Sequence, residues 1–130
     1  KLQRLMAGIE ARTAGFSRLN LTVAINYGGR DEILRATRAL AQEVAEGRLD
    51  PSDITEAAIA QQLDTGGLPD PDLVIRTSGE TRVSNFLLWQ AAYSEFEFTP
   101  VLWPDFTPEV LAEILSRFGD RDRRFGGVTS

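Results

Sequence analysis

Two arginines and several small hydrogen-bonding residues separate two apolar stretches in the segment 74–90, VIRTSGETRVSNFLLWQ. Arg76 and Arg82 lie six residues apart, and a loop that folds back would bring both guanidinium groups to one anion. Guanidinium groups match phosphate oxygens in paired, charge-assisted hydrogen bonds. Ser84 adds a hydroxyl donor, and Gly79 would let backbone N–H groups approach an anion. These residue types in this spacing indicate a diphosphate site.

A structural role for the same arginines is the alternative. Both could be surface residues paired with Glu80 or Asp72, because ion pairs that only support structure are common. The position of the loop favours the anion site, since it directly follows an apolar run that is typical of a strand and precedes a second apolar run.

Two further polar residues are candidates for binding. Glu95 offers a carboxylate, the ligand type that Mg²⁺ prefers, although a lone glutamate is also a common solvated surface residue. We expect the neighbouring Glu97 to be solvated, because it alternates with Phe96 and Phe98 along a predicted strand. Asn26 could either hydrogen-bond a ligand or fix the turn in which it lies.

Composition removes several classes of chemistry. The chain has 130 residues, a net charge of -5, no cysteine and no histidine. It therefore has neither thiolate chemistry nor disulfides, and it lacks the usual general base and the usual zinc ligand. An acidic chain has no global basic surface for nucleic acid, so we expect no nucleic-acid partner. Nothing indicates an oxidising compartment, and we expect a cytoplasmic location.

Strands alternate with helices along the predicted order of elements, which indicates one α/β domain with a mainly parallel sheet flanked by helices. Ligands bind such sheets at the carboxyl ends of the strands, where both polar loops fall. The predicted strands are 21–25, 72–75 and 96–101. The predicted helices start at Leu2, at Asp31 (to about Ala45), at a capping box on Asp53 (to about Leu63), at Phe86 (a short buried helix to Tyr93) and at Pro108 after a Thr107 cap.

The C-terminal segment RRFGG forms a short basic tail that contains Arg124 and Gly126. A frayed, solvated terminus is one explanation. The other is an arm that reaches the anion site of a neighbouring subunit.

Three segments carry a resemblance to a known family: LTVAINYGGRDEI, DLVIRTSGETRVSNFLLWQAAYSEFEFTPVLWPDF and RRFGG. They resemble the C-terminal half of a cis-prenyltransferase, the family of undecaprenyl diphosphate synthase. The resemblance implies that residues 1–130 are the C-terminal part of a single catalytic domain. That family condenses isopentenyl diphosphate with an allylic prenyl diphosphate, and the products are a longer cis-polyprenyl diphosphate, a lipid carrier in cell wall synthesis, and diphosphate.

The resemblance also implies roles, a Mg²⁺ cofactor, a homodimer and peripheral membrane association through the lipid product. The resemblance implies four roles for residues of this chain. These roles are isopentenyl diphosphate binding by Arg76, Arg82 and Ser84, a Mg²⁺-associated carboxylate at Glu95, a border of the site at Asn26 and Arg30, and a contact with the partner's active site by Arg124 and Gly126.

One departure from the family pattern is clear. The family has an Asp-Gly-Asn motif followed by arginine and histidine, and the Asp binds Mg²⁺ and handles the allylic diphosphate; this sequence has no such motif. We therefore expect half of a catalytic unit. The alternatives are a non-catalytic partner subunit or binding fragment of a prenyltransferase, and a generic phosphate-binding α/β domain.

Overall fold

The computed structural model describes residues 2–119 of the chain. Within these residues, three α-helices come first, two β-strands follow, and a fourth α-helix ends the order, with three short 3-10 turns between the elements. The helices are α1 (Leu2–Thr13), α2 (Gly29–Ala45), α3 (Glu56–Gln62) and α4 (Pro108–Gly119), and the strands are β1 (Leu73–Arg76) and β2 (Glu95–Phe98). The 3-10 turns are Pro51–Asp53, Gln90–Tyr93 and Trp103–Asp105.

The two strands form a parallel pair. Leu73 lies opposite Glu95, and Arg76 lies opposite Phe98. The predicted α/β class with a parallel sheet is therefore confirmed. Strand β2 begins one residue before the predicted strand 96–101 and ends three residues before it. Arg76 is thus at the carboxyl end of the sheet, and Glu95 is at its amino end. The rise along a strand is about 3.3 Å per residue.

The prediction of a strand at 21–25 is wrong. This segment has no regular structure, and Leu21, Val23 and Ile25 are 83%, 66% and 53% exposed. A strand requires a neighbour for its backbone hydrogen bonds. Among residues 2–119, β1 and β2 pair only with each other, so the β-branched run has no partner strand.

The apolar stretch that follows the arginines is also not the predicted helix. Only the 3-10 turn Gln90–Tyr93 forms, and Leu87, inside the predicted helix, has a φ of 47°. Left-handed residues cannot belong to a right-handed helix. Burial was predicted correctly for Gln90 and Ala91 alone.

Helix starts follow cap chemistry. Thr55 Oγ1 accepts a hydrogen bond of 3.2 Å from the backbone N–H of Ala58, so Thr55, rather than Asp53, caps α3. Asp53 instead closes the 3-10 turn that Asp50 caps. The prediction for α4 is confirmed, with Pro108 as its first residue.

The core is small and centres on α2. Its fully buried apolar residues are Ala36, Leu40, Leu63, Ala91 and Ile114. Trp103 is 73% exposed and stacks on Phe106. Trp89 is half-buried.

Helix α4 is tied to the sheet by an ion pair. Arg117 Nη2 donates to Glu97 Oε1 at 2.6 Å, and the Glu97 side chain is only 14% exposed. Glu97 is therefore not the solvated residue predicted from strand alternation, because Arg117 of α4 pairs with its carboxylate. Within residues 2–119, no helix is long and apolar enough to cross a bilayer.

Candidate functional site

The arginine loop, residues 76–85, folds back on itself as predicted. Arg76 closes β1, and its Nη2 donates a long hydrogen bond of 3.4 Å to Ser84 Oγ. The Arg76 Nε atom is buried and has no hydrogen-bond partner among the described residues. A buried guanidinium nitrogen without a partner is costly unless a ligand or water accepts from it. The geometry at Arg76 therefore suits an anion.

Arg82 reaches the same cavity from the other side of the loop. Its Nε forms an ion pair of 2.9 Å with Glu80, and its side chain is 77% exposed. The cavity that it shares with Arg76 has a volume of about 220 Å³. Apart from the two arginines, all the residues that line the cavity are apolar: Val74, Ile75, Val83, Phe86, Phe96 and Phe98.

Two backbone amides at the start of the loop already have acceptors within the protein. Ser78 N–H donates to the Val101 carbonyl at 2.8 Å, and Gly79 N–H donates to the Thr99 carbonyl at 3.0 Å. These bonds hold the start of the loop against the segment after β2. The expectation that Gly79 brings N–H groups to a ligand is therefore wrong for the amides of Ser78 and Gly79.

The NYGGR block, residues 26–30, meets the arginine loop directly. Gly29 N–H donates to the Asn85 carbonyl at 2.7 Å, and Arg30 N–H donates to Asn85 Oδ1 at 2.9 Å. The structure thus brings together the two polar loops that the sequence placed after strands. The contribution of Arg30 here is its backbone, and its side chain is exposed.

Asn26 lies at the turn before this block. Its φ is 56°, a left-handed conformation that asparagine tolerates better than most residues. It also lines a second cavity of about 420 Å³, beside Tyr27, Asp64 and Gln90. The turn role is what the backbone shows, and binding by Asn26 stays a prediction.

Sequence reasoning missed the most buried polar residue near the site. Glu32 is fully buried, and it accepts hydrogen bonds from Gln90 Nε2 and from the Asp64 backbone N–H, both at 3.0 Å. The Tyr27 hydroxyl also donates to it. A signal was present, since Glu32 lies four and eight residues before the buried Ala36 and Leu40, on the core face of α2.

Two electrostatic consequences follow around this carboxylate. Burial, together with the hydrogen bond and the negative charge of Glu32, raises the pKa of Tyr27 to about 12. Arg35, one turn along α2, binds Asp64 with two hydrogen bonds of 2.9 and 2.7 Å and also Asp31 at 2.9 Å. The hydrogen bond from Arg35 lowers the pKa of Asp64.

The structure places Glu95 away from the arginine cavity. Glu95 begins β2 opposite Leu73, at the amino end of the sheet, and its N–H donates to the Asp72 carbonyl at 3.0 Å. In the described part of the chain, no group of three or more histidine, cysteine, aspartate or glutamate residues could hold a metal ion. The metal role of Glu95 stays a prediction. Arg124 and Gly126 lie outside the described residues.

Comparison with known proteins agrees with this arrangement. Residues 1–126 match the prenyltransferase family described as undecaprenyl diphosphate synthase. An isoprenyl transferase from Brucella abortus is 57% identical over 127 residues, which are 98% of this chain and 50% of that protein. A ditrans,polycis-undecaprenyl-diphosphate synthase, (2E,6E)-farnesyl-diphosphate specific, from Xanthomonas axonopodis pv. citri is 53% identical over 125 residues, 96% of this chain and 49% of that protein.

A solved structure shows the same fold. The crystal structure of lavandulyl diphosphate synthase from Lavandula x intermedia, in complex with dimethylallyl diphosphate, matches with a TM-score of 0.90 at 41% identity. The match covers 96% of this chain and 54% of the other. The chain spans about half the length of the curated relatives that it matches. The family resemblance is confirmed, and this chain belongs to the undecaprenyl diphosphate synthase family of prenyltransferases.

Proposed function

We propose that the chain is the C-terminal part of a single cis-prenyltransferase domain and supplies the site for isopentenyl diphosphate. The reaction is the condensation of isopentenyl diphosphate with an allylic prenyl diphosphate. The allylic C–O bond breaks and diphosphate leaves, a C–C bond forms to the isopentenyl double bond, and a proton is lost. The names of the relatives support this reaction class.

The cavity under the arginine loop is the observation that carries the proposal. It combines two guanidinium groups with apolar walls that include Phe86, Phe96 and Phe98. Isopentenyl diphosphate has the same division, with a charged diphosphate at one end and a short branched hydrocarbon at the other. Pockets for small ligands typically pair an apolar lining with a few oriented polar groups.

Each cationic side chain has a distinct part in binding. Arg76 is already oriented by Ser84 and has a buried nitrogen that lacks an acceptor within residues 2–119. Arg82 must exchange Glu80 for a phosphate oxygen. An exposed ion pair contributes about 1 kcal/mol or less, whereas a charge-assisted hydrogen bond contributes about 1.5–3 kcal/mol, so the exchange favours the ligand. Fixing the diphosphate in this way aligns the double bond with the allylic carbon.

Several further elements of the proposal concern the whole protein. The allylic diphosphate would be held by groups outside the described residues. Mg²⁺, when bound, would neutralise diphosphate charge, with Glu95 as a proposed carboxylate ligand. We also propose a homodimer in which Arg124 and Gly126 reach the partner's site, a cytoplasmic location, and peripheral membrane association through the lipid product.

Calorimetric titration of the chain with isopentenyl diphosphate tests the proposal. Arg76→Gln and Arg82→Gln should each weaken binding about tenfold to a hundredfold, the range that 1.5–3 kcal/mol corresponds to. Arg38→Gln is the matched control, because Arg38 is an exposed arginine of α2 that does not line the cavity. Inorganic diphosphate should bind more weakly than isopentenyl diphosphate, since it cannot use the apolar walls.

A turnover assay separates the proposal from its alternative. The chain is given farnesyl diphosphate, labelled isopentenyl diphosphate and Mg²⁺, and the lipid is extracted. Label in the extract that Arg82→Gln abolishes supports catalysis by the chain itself. Binding without label supports a site that needs complementary residues, as in a binding fragment. Equal affinity in the native chain, Arg76→Gln and Arg82→Gln would contradict the proposed site.

A further inference from the structure

We infer that Asn85 is a positioning residue, which couples the start of α2 to the arginine loop and thereby sets the orientation of Ser84 and Arg76. The inference rests on the proposed function only for the choice of ligand in one part of its test.

Asn85 caps α2 from a distance in sequence. The first backbone N–H groups of a helix have no acceptor within the helix and need one from outside. The residue at the cap position is Gly28, which has no side chain to supply one. Asn85 supplies two acceptors instead, its carbonyl to Gly29 N–H at 2.7 Å and its Oδ1 to Arg30 N–H at 2.9 Å. This cap joins residues 55 positions apart in the chain.

The backbone of the loop suits asparagine at this place. Asn85 has a φ of 63°, and the nearby Ser84 and Leu87 have φ values of 52° and 47°. A non-glycine residue in the left-handed region is unfavourable, and asparagine is among the residues that tolerate it best. Asparagine therefore meets both requirements, the left-handed backbone and the side-chain acceptor. Alanine would meet neither.

The two glycines of the NYGGR block leave room for this contact. A Cβ atom at Gly28 would lie 2.9 Å from Asn85 Nδ2, and one at Gly29 would lie 2.9 Å from Leu88 Cγ and 3.2 Å from the Asn85 carbonyl oxygen. At 2.9 Å one of the two atoms must shift, so a side chain at Gly28 would displace the Asn85 amide group and one at Gly29 would displace Leu88. The pair therefore has a packing role.

The cap acts on the anion site through one covalent link. Ser84 directly precedes Asn85, and its hydroxyl is the acceptor for Arg76 Nη2 at 3.4 Å. If Asn85 leaves α2, Ser84 loses the constraint that holds it in its left-handed conformation beside Arg76. A change at Asn85 should therefore alter the Arg76 guanidinium, although Asn85 does not line the cavity.

Four variants of the chain separate the side-chain cap from the backbone effect. Asn85→Ala removes the acceptor and disfavours the left-handed backbone. Asn85→Gly keeps the backbone but removes the acceptor, and Asn85→Asp keeps an acceptor that a helix start favours. Asn20→Ala is the matched control, an exposed loop asparagine outside both loops.

Nuclear magnetic resonance provides a ligand-independent measurement. We expect Asn85→Ala to speed amide exchange at Arg30 about tenfold or more and to shift the Nε–H resonance of Arg76. In Asn85→Asp, the amide exchange rate at Arg30 and the Arg76 resonance should both match those of the native chain. In Asn85→Gly, exchange at Arg30 should stay fast, and the Arg76 resonance should lie between those of the native chain and Asn85→Ala. An Arg76 resonance that is the same in Asn85→Ala and in the native chain would overturn the inference.

Calorimetry with isopentenyl diphosphate provides the second measurement, at a temperature where every variant is folded. Asn85→Ala should weaken binding about tenfold, and Asn85→Asp should stay within about twofold of the native affinity. An unchanged affinity in Asn85→Ala, together with a clear loss in Arg76→Gln, would overturn the coupling while the proposed function stands. If the native chain does not bind the ligand, the proposed function fails and the resonance measurement alone decides the inference.

Discussion

At the residue scale, Glu32 shows how a buried charge can organise a site. A carboxylate without water is costly unless hydrogen bonds replace its hydration. Three donors do so here, from Tyr27, Asp64 and Gln90, and each belongs to a different segment. Because all three converge on α2, the same carboxylate fixes the block before the helix, the loop before β1 and the turn after the arginine loop.

The Tyr27 hydroxyl gives a pH prediction at this scale. Its pKa is raised from 10.0 to about 12, so the unfolded chain loses this proton first as the pH rises. The stability that the Tyr27–Glu32 contact contributes is therefore complete below pH 10 and is lost as the pH rises toward 12. In a Tyr93→Phe background, Tyr27 is the single tyrosine, and ultraviolet titration should place its midpoint near 12.

A matched variant identifies the cause of that shift. Glu32→Gln in the same background removes the negative charge beside the phenol, and the midpoint should fall from its native value. A native midpoint near the ordinary value of 10.0 would mean that the hydroxyl is not buried against Glu32.

At the element scale, success of the sequence predictions depended on how local each signal was. Helices α1, α2 and α4 were predicted because their apolar spacing and start residues lie within a few positions. The failure at 21–25 has the opposite cause, since a strand is decided by a neighbour that its own residues do not specify. The left-handed residues Ser84, Asn85 and Leu87 also gave no periodic signal, and the apolar run that starts at Phe86 imitated a helix.

The cap of α3 gives a prediction for one element. Thr55→Ala should lower the free energy of unfolding by about 1 kcal/mol, because the Ala58 N–H loses its acceptor. Asp53→Ala should change it by less than about 0.5 kcal/mol, since Asp53 does not cap the helix. Urea unfolding measures both. The reverse order of the two effects would mean that the capping box starts at Asp53 after all.

At the scale of the whole molecule, the candidate site was only half predictable. The pairing of Arg76 with Ser84 and the cavity that Arg76 shares with Arg82 both follow from a loop that folds back. The spacing of the two arginines predicted that fold. The contact of Asn85 with α2 spans 55 positions, and no local pattern announces it. Glu95 was a separate candidate for binding Mg²⁺, and the strand register places it at the opposite end of the sheet from Arg76.

The molecule also exposes an unusual amount of apolar surface. Helix α1 has no buried residue, and large apolar side chains of the segment 16–25 are more than half exposed. Exposed apolar surface promotes association. We therefore expect the chain to self-associate as its concentration rises.

Substitutions in that surface test this expectation. Leu21→Thr with Val23→Thr should reduce self-association in a sedimentation series, and should change the free energy of unfolding by less than about 0.5 kcal/mol because both side chains are exposed. Ile114→Ala is the contrasting control, since Ile114 is 2% exposed and its truncation should cost about 2–5 kcal/mol. Identical sedimentation of the double variant and the native chain would contradict the prediction.

The position of Trp89 has a spectroscopic consequence. Trp89 is half-buried, and it follows Leu88, which packs against Gly29, and precedes the buried Gln90, so it belongs to the segment that joins the arginine loop to α2. The other tryptophan, Trp103, is 73% exposed and supplies a constant solvent-like emission. In a Trp103→Phe variant, the intrinsic fluorescence of the chain would come from Trp89 alone. Trp89 is therefore an intrinsic optical reporter for the segment that joins the arginine loop to α2, and no external dye is needed.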